Sequence, residues 1–132
     1  LTALIDTNIA IHLRDGDPGV LDRYVALDAP PMISIVTRVE LEGGVAARPD
    51  VADKRRAALD VLLDELDTLD FDGAAADAYR GILAATGYSR PRILDRMIAA
   101  TALAHGLPLI TMNGDDFRDV PGLKLEVWES PA

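Results

Sequence analysis

Leu1-Thr2-Ala3-Leu4-Ile5-Asp6-Thr7-Asn8 is the stretch whose reading decides the fold. Leu1 to Ile5 reads as a short apolar strand that runs straight into three polar residues. Ile9, Ile11 and Leu13 then carry the apolar pattern into a short helix. The arrangement recurs along the chain. Met32 to Val36 is a second strand, apolar on both faces, with Thr37 to Ala47 as a helix behind it. Leu109 to Met112 is a third, followed by a turn over Asn113 to Phe117, and Leu123 to Trp128 reads as the last strand. Strands apolar on both faces belong inside a parallel sheet covered by helices on each side. The expected fold is α/β, a three-layer α/β/α sandwich with a mainly parallel central sheet.

The connecting segments agree with this. Asp17-Pro18 starts a helix with a capping side chain and a ring suited to the first helical position, and Pro30-Pro31 ends it. Asp50 opens a longer helix in which Leu59, Leu62, Leu63 and Leu66 recur at helical spacing. Thr68 to Phe71 is a short strand, and Asp72 caps the helix carrying Tyr79, Ile82 and Leu83. Leu94 to His105 is helical, and Gly106 stops it.

One domain spanning residues 1–132 is expected, because a single core suits a chain of this length. The 49 % hydrophobic content can fill that core. Cysteine is absent, which excludes disulfides and thiolate metal sites. No apolar run approaches the ~18 residues of a membrane span. The first apolar run carries Asp6 and no basic leader, so a cytoplasmic protein is expected rather than a secreted or membrane one. With 22 acidic against 13 basic residues the net charge is -9, so bulk charge does not draw nucleic acid to this surface. Such a partner needs a local basic rim.

Ligands of open parallel sheets bind beyond the carboxyl ends of the strands. Asp6 follows the first strand, and Thr37 and Glu40 follow the second. Thr111, Asn113, Asp115 and Asp116 stand at and beyond the end of the third. Asp95, near the start of its helix, can reach the same sheet edge. Each acid alone suits an ordinary structural duty: Asp6 a helix cap, Thr37 with Glu40 a capping box, Asp95 a first helical turn. Convergence changes the weighing. Two carboxylates ~4 Å apart repel by about 4 kcal/mol at an effective dielectric of ~20, so four together call for a cation. Hard oxygen donors suit Mg²⁺ or Mn²⁺. His12 and His105 read as ordinary amphipathic-helix residues.

Four motifs, in order, carry a family resemblance: Ile5-Asp6-Thr7-Asn8; Thr37-Arg38-Val39-Glu40; Asp95-Arg96-Met97-Ile98-Ala99-Ala100-Thr101-Ala102; and Thr111-Met112-Asn113-Gly114-Asp115-Asp116-Phe117. With Val120-Pro121-Gly122-Leu123 behind them, the chain resembles PIN-domain proteins, and among them the VapC-type toxins of toxin–antitoxin pairs. The resemblance implies a Mg²⁺- or Mn²⁺-dependent endoribonuclease that leaves a 5′-phosphate and a 3′-hydroxyl. It puts Asp6, Glu40, Asp95 and Asp116 on the family's four catalytic acids. Asp6 and Asp95 would hold the ion, while Asp116 and Glu40 complete the cage directly or through water; Asp115 competes with Asp116 for the fourth place. Asn8, Thr111 and Asn113 match polar pocket positions.

Arg38, Arg90, Arg92 and Arg96 flank these acids and are the candidate RNA-binding rim. Arg96 also suits a plain ion pair with a neighbouring acid. The implied partners are an RNA substrate, an antitoxin with a basic C-terminal tail, and a second copy in a homodimer. Two competitors remain. A phosphohydrolase with Asp6 as nucleophile lacks the usual second Asp, because Asn8 stands there. A non-catalytic PIN-like or receiver-like module would bind metal, RNA or a partner without turnover.

Overall fold

The computed structural model describes residues 2–131. Five parallel strands form one sheet in the order β3-β2-β1-β4-β5: β1 (Leu4–Ile5), β2 (Met32–Ser34), β3 (Thr68–Leu69), β4 (Leu109–Thr111) and β5 (Leu125–Val127). Leu4 pairs with Met32 on one side and Leu109 on the other, and Ile5 with Ile33 and Ile110. Successive side chains of a strand point to opposite faces. Leu4 and Leu109 accordingly enter the core beneath α5 (Gly73–Thr86) and α6 (Ile93–His105). Ile5, Ile33 and Ile110 enter the core beneath α1 (Thr7–Arg14), α2 (Pro18–Val25) and α4 (Ala52–Glu65). The expected three-layer sandwich is borne out, and the sheet is wholly parallel.

Every strand is short. Leu1 of the expected first strand lies outside the described residues, and pairing begins at Leu4. The second strand stops at Ser34 rather than Val36, and α3 (Ile35–Ala46) starts two residues earlier than its expected Thr37. The cause is a cap. The buried Ser34 hydroxyl accepts the Val36 N–H at 3.0 Å and ends the strand there. Thr37 is therefore not the cap of this helix. It lies inside the first turn, fully buried, where its hydroxyl meets that of Thr7 at 3.0 Å. Likewise Asp50 does not cap α4, whose N-terminal position is Val51 with no side-chain bond. The caps at Asp17 and Asp72 stand as expected, accepting from the backbones of Val20 and Ala75.

Leu59, Leu62 and Leu66 bury their side chains against the sheet, with Leu63 half-covered. Trp128 follows the edge strand β5 and is buried at that edge, its ring within 5.9 Å of the Arg23 guanidinium. Gly106 adopts φ +64°, a left-handed stop that other residues resist, and turns α6 toward β4. Among the described residues no helix is long and apolar enough to cross a membrane.

The strand order reverses between β1 and β4, because the chain builds outward from β1 to β3 and then returns to the other side. A crevice opens at such a reversal, beyond the strand ends. If Ser34 caps α3, Ser34→Ala lowers stability by about 1 kcal/mol. Chemical denaturation checks this, with Thr37→Val as the comparison that leaves the cap intact.

Candidate active site

Asp6 occupies the last position before that crevice. Its backbone N–H donates to the Ile110 carbonyl at 3.1 Å, continuing the β1–β4 pairing. Its Oδ1 caps α1 by accepting the Ile9 N–H at 3.1 Å, and Oδ2 accepts the Thr111 hydroxyl at 2.5 Å. The helix-cap duty and the site position thus coexist in one side chain. A carboxylate has about four acceptor directions, so two remain free.

Asp6, Glu40, Asp95 and Asp116 line one cleft of about 230 Å³, together with Asn8 and Asn113. Thr7, Ile11 and Phe117 complete the wall, and no basic side chain lines it. Four acids from three strand–helix junctions and the start of α6 therefore share one space. The larger clefts, of about 350 Å³, lie between α2 and the C-terminal residues and around the loops that lead into β1 and β4. Neither brings acids together in this way. Charge, not volume, marks the site.

The electrostatics follow from the gathering. Burial pushes the Asp6 carboxyl above its ordinary value of 3.8, partly opposed by its bonds to Thr111 and Ile9, with Glu40 adding repulsion. Asp95 is also raised, first by burial and then by Asp116, Asp6 and Glu40. Arg96 pulls in the opposite direction but does not outweigh them.

Several placements differ from the sequence expectations. Asp116 lines the cleft with the other three acids, whereas Asp115 is exposed and pairs with Arg118. Thr111 does not line the cleft; it is fully buried behind Asp6 as a hydrogen-bond donor. Arg96 is not a rim residue. It is only 4 % exposed and holds Asp119 with two bonds of 2.8 Å, one from each terminal nitrogen. Nη1 also reaches the Asp116 carbonyl at 3.5 Å. Arg92 sits 4.0 Å from the same Asp119 carboxylate, one helical turn away. Arg38 points at Glu42, 3.6 Å away on its own helix face. Arg90 is exposed in the turn before α6, with no ion-pair partner among the described residues.

Thr7 is the site residue that sequence reasoning passed over. Its hydroxyl donates to Glu40 Oε1 at 2.6 Å and meets Thr37, which ties the start of α1 to the first turns of α3. The available signal was its place between Asp6 and Asn8.

The family model of the PIN domain matches residues 3–123. The chain belongs to the PIN-domain family. Within it, the protein of Shigella flexneri named tRNA(fMet)-specific endonuclease VapC is 35 % identical, covering 97 % of this chain and 98 % of that protein. The VapBC complex of Salmonella typhimurium, solved with DNA, matches with TM-score 0.81 at 28 % identity, over 97 % of this chain and 98 % of that one. The VapBC2 complex of Rickettsia felis, bound to a promoter DNA fragment, shares the fold with TM-score 0.87 at 24 % identity, over 98 % and 100 % of the two chains. This PIN domain is of the VapC type.

Two predictions follow from the site's charges. Raised carboxyl pKa values mean that the folded state binds protons more tightly than the unfolded chain. The contribution to stability is then fullest below the ordinary carboxylate value and is lost as pH rises through the raised one. In chelator, Asp95→Asn is expected to be more heat-stable than the parent near about pH 7, with the difference shrinking toward about pH 4. Thermal unfolding across that range reads it. The Arg96–Asp119 pair tests differently. Asp119→Asn leaves a buried guanidinium half-paired, but Asp119 is itself half-exposed, so the loss is about 1–2 kcal/mol, below the 3–5 kcal/mol of a fully buried pair. Denaturant midpoints measure it.

Proposed function

We propose that this PIN domain is the toxin of a VapBC-type pair, an endoribonuclease that hydrolyses RNA phosphodiesters with Mg²⁺ or Mn²⁺ at the four-carboxylate cleft. One observation carries the reading: Asp6, Glu40, Asp95 and Asp116 line a single cleft without any basic residue in its wall. The relatives named endonuclease or ribonuclease VapC support it.

The donor set fits a hard divalent cation, being carboxylate, amide and hydroxyl oxygen with no imidazole. Among the described residues no three acidic or imidazole groups stand close enough to enclose an ion unaided. That suits Mg²⁺, which keeps several waters and takes one or two carboxylates plus substrate phosphate oxygens. Asp6 and Asp95 are the residues to hold it, with Asp116 beside them. When bound, the ion supplies positive charge to the phosphate and acidifies water.

The remaining work falls to the chain itself. Asp6 is locked by the Ile9 N–H and the Thr111 hydroxyl, so it meets the ion without reorganising. Glu40 has Oε1 occupied by Thr7, which leaves Oε2 to hold the attacking water and accept its proton. Asn8 and Asn113 offer amide N–H groups to the phosphate oxygens, and Phe117 closes the wall with an apolar ring. Arg90 and Arg92 at the head of α6, and Arg38 on α3, contact phosphates beside the scissile one. Arg96 instead braces the loop after β4, reaching the Asp116 carbonyl directly and holding Asp119.

The partner is an antitoxin whose basic C-terminal tail answers the acidic cleft, and the antitoxin-bound relatives support that partner. The chain acts as a homodimer in the cytoplasm, where RNA and antitoxin meet it.

Purified protein is expected to cleave mixed cellular RNA with Mn²⁺, and chelator stops it. Asp95→Asn keeps the fold and loses more activity than the ~10–100-fold typical of a lost outer partner of a metal ligand. Mn²⁺ raises the melting temperature of the parent and much less that of the variant. Cleavage that survives chelator, or an Asp95→Asn enzyme of parental activity, overturns the reading.

A further inference from the structure

Acids outnumber bases over the whole chain, yet one cleft reverses that balance. Arg14, Arg48, Lys54 and Arg55 line a cleft of about 240 Å³ between the end of α1 and the start of α4, with Asp15 as its single lining acid. Its cations are unequally satisfied. Arg48 is paired with Asp50, and Arg14 uses Nε and Nη2 on Asp15. Arg14 Nη1 is buried with no hydrogen-bond partner among the described residues. Arg55 gives Nη1 to the Gly44 carbonyl, a neutral acceptor, and forms no ion pair among the described residues. Lys54 is exposed and has no ion-pair partner among the described residues.

The position of this cleft is set by helix geometry. Residues three or four apart share a helix face. Asn8 and Ile11 line the acidic cleft, and Asp15 lines the basic one, so a single face of α1 serves both. On α3, Glu40 lines the acidic cleft, and Gly44, one turn on, is held by Arg55 and packs against Arg14. From Asn8 to Asp15 the rise is about 10 Å. The basic cleft thus continues the acidic one along the same two helices.

We propose that this second cleft is a phosphate subsite for the RNA strand, gripping its backbone beyond the scissile bond. The inference rests on the ribonuclease reading above and extends it. A strand entering four carboxylates on a protein of net charge -9 meets repulsion, and phosphate contacts nearby offset it and set the register. Arg48 and Lys54 reach the strand from the exposed side of the subsite, and Arg14, held by Asp15, adds positive charge behind them.

The test uses the full chain in chelator, where RNA binds without being cut. A fluorescein-labelled oligouridylate long enough to pass both clefts is followed by anisotropy over a salt series. Arg48→Gln/Lys54→Gln is expected to bind roughly tenfold more weakly and to flatten the slope of log K against log salt by about 1.4, at about 0.7 for each single-strand phosphate contact. Lys54→Arg, which keeps the charge, binds as the parent does. With Mn²⁺ added, the double variant raises KM for the same RNA rather than lowering kcat. A parent that binds and cuts RNA beside a double variant with an unchanged slope overturns the subsite alone. A parent that neither binds nor cuts RNA removes the ribonuclease reading and the subsite together. An unchanged RNA slope with lost affinity for an acidic peptide assigns the cleft to a protein partner and also overturns the proposal.

Discussion

The Asp6 carboxylate is 5 % exposed, at the end of the central strand, with one oxygen on a helix N-terminus and the other on Thr111. A buried charge costs several kcal/mol unless hydrogen bonds or a cation answer it. Much of the surrounding structure serves that requirement. β1 must end at Ile5 so that the next residue can cap α1, and β4 must lie beside it so that Thr111 arrives at the second oxygen. Parallel pairing at the reversal of strand order satisfies both at once. The same geometry brings the other strand ends, each followed by an acid, to one edge.

The molecule tolerates this crowding by keeping cations out of the cleft and using them beneath it. Arg96 is next to Asp95 in sequence, yet its guanidinium is committed to Asp119 and the Asp116 carbonyl. It ties α6 to the loop after β4, so that two acids on different elements keep their spacing. Thr7 performs a similar task between α1 and α3 through Glu40. Negative charge therefore gathers on elements tied to one another by hydrogen bonds, and burial and then that charge raise the Asp6 and Asp95 carboxyls. Such an arrangement spends stability on a site that a cation would relieve.

The layers, the parallel sheet and the four acids were legible because they rest on local signals: apolar runs bounded by helix starts, and polar residues directly after them. What escaped depended on competition or on rotation about a helix axis. Thr37-Arg38-Val39-Glu40 has the form of a capping box, but Ser34 reaches the helix end first, and both members of the apparent box turn toward Thr7 instead. Arg96 looked like a rim cation because it neighbours Asp95. Adjacent residues on a helix point about 100° apart, and its partner Asp119 lies 23 residues on. Asp115 and Asp116 were indistinguishable in sequence; the single turn over Gly114–Asp116 sends one into the cleft and the other to solvent.

The distribution of basic residues carries the last step. Of the thirteen, eight stand in ion pairs with acids among the described residues, including Arg38, Arg92 and Arg96 beside the cleft. A cation already paired adds less to the long-range field that an approaching polyanion feels, and engages a phosphate only at contact, by sharing or exchanging its partner. Screening limits that field further, to about 8–10 Å at physiological salt. A distant RNA therefore meets a repulsive molecule, and attraction begins only within a Debye length of an uncommitted cation. Arg90, Lys54 and Arg55 are among these cations, and they stand on different elements, before α6 and at the start of α4. On the proposed reading, a strand that reached both groups would gain at both ends, whereas a short anion would gain at one alone. In a protein this acidic, the proposed grip on an extended backbone depends on where the unpaired cations stand, not on how many there are.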